Sequence, residues 1–313
     1  MKFFENARVG KNHWLRYVAV LAVGYLVSQI LVILSIVVAA IADRQAFRKM
    51  FGNVDVDAFL DTIPGFFVGM LIYVALLGAI WWLFKLFHKR ERITLISGEK
   101  KFRKKNFFMG MGAFAIAYGV FCLVGLPLLS SVIDTNFQFN GGKYFAFVAI
   151  ALIFLPFQTG CEELIFRGYL MQGFALCTKS KVWALVITSV VFGLMHGYNG
   201  PVEEYGFLAA IPVYIFIGLE LGLFAILSDG IELPWGIHYA TNLIAFTIIG
   251  AKSEGSVNVR PLIQVDEPVW VMYILEFVVF AIMFLLLHKK LGWNFKEAFD
   301  ANGLKKEVVE TEN

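Results

Sequence analysis

Most of this sequence is too apolar to do chemistry, so the few polar residues inside its long apolar runs stand out. They fall in three stretches: QTGCEELIFRGYL with Glu162, Glu163 and Arg167; VVFGLMHGYNG with His196; and PWGIHYATNLIAF with His238 and Asn242. An ionisable group within a membrane segment costs at least ~2.5–3.5 kcal/mol on insertion scales, so each needs a partner or a task. Helical spacing sorts them. Glu163 and Arg167 are four apart, share a helix face and can form an ion pair. Glu162, about 100° round the helix, is left for other work. His238 and Asn242 are also four apart, forming a donor pair on one face, and Phe192 lies one turn before His196, where it walls the same pocket.

Two carboxylates, two imidazoles and an amide in a partly buried cavity suit hydrolysis. A glutamate in an apolar site, where its charged form is disfavoured, becomes a better base for water, and a neighbouring His can share the proton. His and Asn are suitable donors to a tetrahedral oxyanion, a role in which one donor can contribute about 3–4 kcal/mol. No Ser or Cys nucleophile is required. The same atoms allow a zinc site, with Glu162, His196 and His238 as ligands and water in the open position. No HExxH helix supports it, however, so the expectation is that no metal or cofactor is needed. Two non-hydrolytic readings remain open. One is a polar clamp within an immunity or scaffold protein, the other a proton- or cation-coupled transporter, which the lack of an inverted repeat disfavours.

The elements that position these residues follow from composition. Of 313 residues, 59% are hydrophobic and 16% charged, against about 25% charged in soluble domains. That excludes a soluble enzyme, a nucleic-acid binder and a disordered regulator. A membrane crossing needs about 20 apolar residues, and eight runs approach this: 14–42, 66–87, 107–133, 144–176, 182–198, 205–228, 233–251 and 269–287. The expected fold is an all-α polytopic bundle of about eight transmembrane helices. The first run ends in Ala40-Ile41-Ala42, but it is far longer than the ~7–15 apolar residues of a signal peptide, so a retained anchor is expected.

Basic residues set the orientation. Nine lie between Lys85 and Lys105, and with that loop inside, both termini are cytoplasmic and 21 of the 27 Lys and Arg are inside. The six outside are Arg44, Arg48, Lys49, Lys143, Lys252 and Arg260. The basic loop around Phe102 reads chiefly as this topology signal, with contact to lipid headgroups secondary. Glu162 and His196 each lie seventeen residues from Lys179, so an antiparallel hairpin puts them at equal depth. His238 is only ~6 Å inside its run, whereas Glu162 is some 25 Å from Lys179. The site closes only if the hairpin tip, residues 170–180, extends beyond the membrane. Glu220, between Gly218 and Gly222, reads as an interior carboxyl at a close helix seam. Glu276 reads likewise. Cys122, Cys161 and Cys177 lack metal-ligand spacing and read as free thiols.

The stretches EELIFR, FGLMH and HYATN resemble the Glu-Glu-x-x-x-Arg, Phe-x-x-x-His and His-x-x-x-Asn motifs of the CAAX-protease and bacteriocin-processing family, the Abi or type II CAAX prenyl endopeptidase-like intramembrane proteases. The resemblance covers roughly residues 144–250. It divides the chain into three N-terminal helices with the basic loop (1–140), a catalytic core (141–251) and a last helix with its tail (252–313) in one integrated membrane domain. It implies an endopeptidase in which Glu162 and His196 activate water, His238 and Asn242 hold the oxyanion, and Glu163, Arg167 and Phe192 support them. The implied partners are membrane lipids and a peptide or membrane-protein substrate, lipidated or not. The implied place is a bacterial plasma membrane, with the active site toward the cytoplasm.

Overall fold

A computed structural model describes residues 2–42, 63–139, 141–251 and 261–305. All eight expected segments are helical: α1 (Trp14–Ala42), α2 (Ile63–His88), α3 (Lys104–Leu128), α4 (Gly142–Thr178), α5 (Lys181–Met195), α6 (Phe207–Ser228), α7 (Glu232–Thr247) and α8 (Val269–Leu291). Among the described residues, six of these, α1 to α4, α6 and α8, are long and apolar enough to cross a membrane. The other two, α5 with 15 residues and α7 with 16, are shorter. They carry or immediately precede three of the polar side chains at issue, His196, His238 and Asn242. The molecule is a polytopic helical membrane bundle. Arg44, Arg48, Lys49, Lys252, Arg260 and Lys306, all used in the orientation argument, lie outside the described residues.

The helical bundle carries one small addition. A small sheet in the order β1-β3-β2 joins β1 (Asp134–Phe137), β2 (Ile249–Ala251) and β3 (Ile263–Asp266), with β1 antiparallel and β2 parallel to β3. The seventh run therefore stops being helical at Thr247, and residues 249–251 read as span form a strand instead.

The hairpin of α4 and α5 extends past the start of α7, and its tip is covered only in part: Cys177 and Lys179 at the turn are exposed, while neighbouring chain buries Gln172 and Lys181. Gln172, fully buried, accepts from Arg90 Nη2 (2.6 Å) and donates to the Thr94 carbonyl (2.8 Å). Lys181 donates to the Ala298 carbonyl (2.7 Å) and lies over the ring of Phe4 (5.4 Å). Burial pulls the Arg90 guanidinium down from its ordinary value to about 10; it stays a cation at neutral pH, held by Gln172 and the face of Phe84. The same end holds Arg103, which binds Glu232 at the start of α7 through Nε (2.9 Å) and Nη2 (2.6 Å).

Two local features aim α4 and α7 at each other. Pro156 has no N–H for the carbonyl of Leu152, and that oxygen accepts instead from Tyr239 Oη of α7 (3.2 Å), while the Pro156 carbonyl accepts from Trp235 Nε1 (3.0 Å). Farther along, α4 passes through a π-helical stretch, Leu164–Leu170, before resuming as Met171–Thr178. On the other side of α7, the absent Cβ atoms of Gly236 and Gly110 let it approach α3 closely. A Cβ on Gly236 would meet the Phe107 carbonyl, and one on Gly110 the Leu233 carbonyl. Small residues at such seams are how membrane helices pack without a hydrophobic driving force between them.

Candidate active site

The charge centre is Glu163. Fully buried on α4, its Oε1 accepts from Arg167 Nη1 (2.8 Å) one turn on and from His238 Nδ1 (2.8 Å) on α7. Arg167, also buried, donates through Nη2 to the Gly218 carbonyl of α6 (3.3 Å) and stacks its guanidinium 4.3 Å from the centre of the Phe192 ring on α5. Four helices therefore meet on one ion pair. An unpaired carboxylate or guanidinium at this depth would carry a desolvation cost of several kcal/mol, which the pairing offsets.

Glu162 faces elsewhere, as its position on the helix requires. Its Oε1 accepts a short hydrogen bond from Gln158 Nε2, and Gln158 Oε1 accepts in turn from Asn242 Nδ2 (2.9 Å). One glutamine thus links the free glutamate on α4 to the asparagine on α7. The second oxygen, Oε2, accepts no hydrogen bond among the described residues and lies 3.6 Å from His238 Nε2.

Hydrogen bonding also fixes which ring nitrogens are free. His196, capping the end of α5, places Nδ1 2.7 Å from the Phe192 carbonyl. A carbonyl can only accept, so Nδ1 carries the hydrogen and neutral His196 presents a bare Nε2, a proton acceptor. Its ring is stacked on Tyr214 (4.7 Å between centres) and packed against Phe192 (4.4 Å). In His238 the Nδ1 hydrogen is committed to Glu163, so Nε2 donates only when the ring is an imidazolium.

These groups line one cavity of about 690 Å³, which takes in Gln158, Glu162, His196, His238 and Asn242. Depth along the helices can be read from cross-helix pairs. Phe66 packs on Phe147 (4.8 Å) and His88 Nε2 meets Tyr169 Oη (2.7 Å), so α2 and α4 run parallel. Glu162, seven residues before Tyr169, lies roughly 10 Å below the His88 level, and His238, six residues after Glu232, roughly 9 Å below the Arg103 contact. The expected mismatch in depth disappears, because the tip of the α4–α5 hairpin lies beyond both levels. From this floor the cavity runs away from the basic end, toward Gly200, Ile249 and Val265 beside the sheet.

The structure thus brings together all seven residues singled out by spacing: Glu162, Glu163, Arg167, Phe192, His196, His238 and Asn242. Among the described residues no group of three or more His, Cys, Asp or Glu side chains is arranged to hold a metal ion. Spacing did not assign Gln158 or Tyr214. For Gln158 a signal existed, since it lies four residues before Glu162 on the same helix face; Tyr214 left none.

Residues 142–244 match the family model described as Type II CAAX prenyl endopeptidase Rce1-like. The chain is also similar to the Bacillus subtilis (strain 168) protein described as "Uncharacterized protein YyaK", with 27% identity over 246 residues, covering 76% of this chain and 80% of that protein. No solved structure matches.

Proposed function

We propose that this chain, whose residues 142–244 carry the Rce1-like endopeptidase domain and whose fold is a multi-pass membrane bundle, hydrolyses peptide bonds within the membrane by glutamate-activated water. The domain match supports a peptidase; the mechanism is our reading of the geometry. One observation carries it: Glu162 Oε2 is buried on the cavity wall with no hydrogen bond to spend it on, 3.6 Å from an imidazole.

Glu162 takes a proton from water as the water oxygen attacks the scissile carbonyl, and the bare Nε2 of His196 shares that proton. Negative charge develops on the carbonyl oxygen. Asn242 still has one N–H to donate after its bond to Gln158 Oε1, and imidazolium His238 supplies another from Nε2. The proton then passes to the departing amine nitrogen as the C–N bond breaks, leaving a carboxylic acid and an amine that exchange the remaining proton to become carboxylate and ammonium. Glu163 and Arg167 touch no reacting atom; Glu163 orients His238, as the buried aspartate does in a Ser-His-Asp triad.

The substrate in this reading is a peptide or membrane-protein segment, lipidated or not, and no metal is required. Orientation follows from the positive-inside rule, which sets the basic end in the cytoplasm of a bacterial plasma membrane and Glu162 in the cytoplasmic half. The test compares wild type and Glu162→Gln in detergent against quenched prenylated and unprenylated peptides, with and without chelator. Chelator-insensitive cleavage by wild type alone is expected. Equal cleavage by Glu162→Gln overturns the mechanism, and loss with chelator that zinc restores replaces it with a metal-dependent one.

A further inference from the structure

Glu220 has no part in the reaction above, yet it faces the same cavity. It lies on α6, two residues beyond the carbonyl that receives Arg167, and is only 5% exposed. Its Oε2 is fully buried and accepts no hydrogen bond among the described residues, and its side chain lines the cavity that holds Glu162. Glu276, on α8, lines the same cavity. Arg167 donates through Nη1 to Glu163 and through Nη2 to the Gly218 carbonyl, with its face on Phe192.

The seam that holds Glu220 does not account for it. Gly218 lies against the backbone of Ser189 on α5, and Gly222 against Leu185, so the helix packs closely through its glycines. The Glu220 carboxyl lines the cavity beside that seam. A buried acceptor left unsatisfied is costly. A cation placed against it removes that penalty, and the rest of the cavity wall is largely aromatic and aliphatic.

From this geometry we propose that Glu220 forms a cation-binding subsite of the peptidase cavity that selects substrates carrying a lysine or arginine side chain near the scissile bond. This rests on the endopeptidase reading and deepens it: the aliphatic stem of such a side chain packs along the apolar wall while its charged head reaches Glu220. Glu163 does not compete for that head, because it is tied to Arg167 and His238, and the Glu162→Gln background of the test removes the charge of Glu162.

The test reads binding separately from cleavage. Full-length Glu162→Gln in detergent is titrated with fluorescent peptides that are identical except for one scanned position, which holds Lys, Arg, norleucine or Glu. At one position, Lys and Arg are expected to bind about tenfold tighter than norleucine, and Glu weaker than either, as for a charge-assisted contact. In Glu162→Gln/Glu220→Gln the preference should shrink to within about twofold while norleucine binding stays the same, the control that the fold is intact. If the second substitution prevents folding, the peptide series on unaltered Glu220 decides by itself. Equal binding of Lys and norleucine at every position, or a preference that survives Glu220→Gln, overturns the subsite. Cleavage by wild type without preference for basic peptides removes the subsite and keeps the peptidase. Glu220-dependent binding without any cleavage removes the peptidase and keeps the subsite.

Discussion

Glu163 and His238 are 75 positions apart in the chain and 2.8 Å apart in space. That contact joins the first and last of the polar stretches. It also fixes the imidazole tautomer, because an acceptor at Nδ1 leaves only Nε2 to face Glu162.

Glu162→Gln keeps the shape of the side chain and removes the base. Cleavage of a confirmed peptide substrate is expected to fall by about 10²–10⁴-fold, the range for loss of a general base. Thermal unfolding in detergent should change little, because the isosteric amide keeps an oxygen to accept from Gln158 Nε2 and leaves no charge unpaired. A large loss of stability would mean that Glu162 is structural.

Gln158→Leu removes the link between Glu162 and Asn242 without touching either. Both side chains then lose a hydrogen bond that orients them. A displacement of 1 Å in a catalytic group can cost about 100-fold, so kcat is expected to drop by that order while KM changes little. An unchanged kcat would show that Gln158 holds nothing the reaction uses.

Glu163→Gln should behave differently from Glu162→Gln. It leaves the Arg167 charge buried without its carboxylate, a change that typically costs about 3–5 kcal/mol. Adding Arg167→Met removes the stranded charge, and much of the lost thermal stability should return. Activity should not, because His238 still lacks its carboxylate. Recovery of cleavage in the double variant would assign the Glu163 contact a purely structural part.

Gly236→Ala tests the seam between α3 and α7. The added methyl collides with the Phe107 carbonyl, and overpacking of this kind costs about 1–3 kcal/mol. His238 lies two residues on, so cleavage should fall by more than the stability change alone explains. Measuring kcat on the folded fraction separates the two.

Orientation is checked by labelling. In a background lacking Cys122, Cys161 and Cys177, a cysteine at exposed Glu204, near the sheet, should react with an impermeant maleimide on intact cells. One at exposed Lys101 should react only after permeabilisation. The reverse pattern would invert the bundle and place the basic end outside.

What was legible in the sequence followed from helical periodicity. Glu163 with Arg167 and His238 with Asn242 are pairs four apart, and a helix of any length puts such pairs on one face. The eight helices were legible for the same reason, as long apolar runs. The sheet was not: β1 and β3 are only four residues each and lie on either side of residues 141–251 in sequence. Pairing so short and so distant leaves no pattern of period two. Gln158 escaped because a neutral amide in an apolar helix does not announce itself as a charge does. The chain that covers part of the hairpin tip also escaped, since polar Gln172 reads as solvated until the Arg90 contact that buries it is known.

The π-helical stretch from Leu164 to Leu170 separates two faces of one long helix. A π turn amounts to one inserted residue, and one residue is about 100° of rotation. Before the stretch, α4 turns Gln158, Glu162 and Glu163 toward α7 and the cavity; at and beyond its end it turns Tyr169 and Gln172 toward His88 and Arg90. The anchored end and the end that faces the cavity are therefore out of phase by a single position. Deleting one residue between 164 and 170 would restore an unbroken α-helix and swing one face away from its partners while the other held. In this bundle the alignment of the glutamates is a matter of counting, set by an insertion of one.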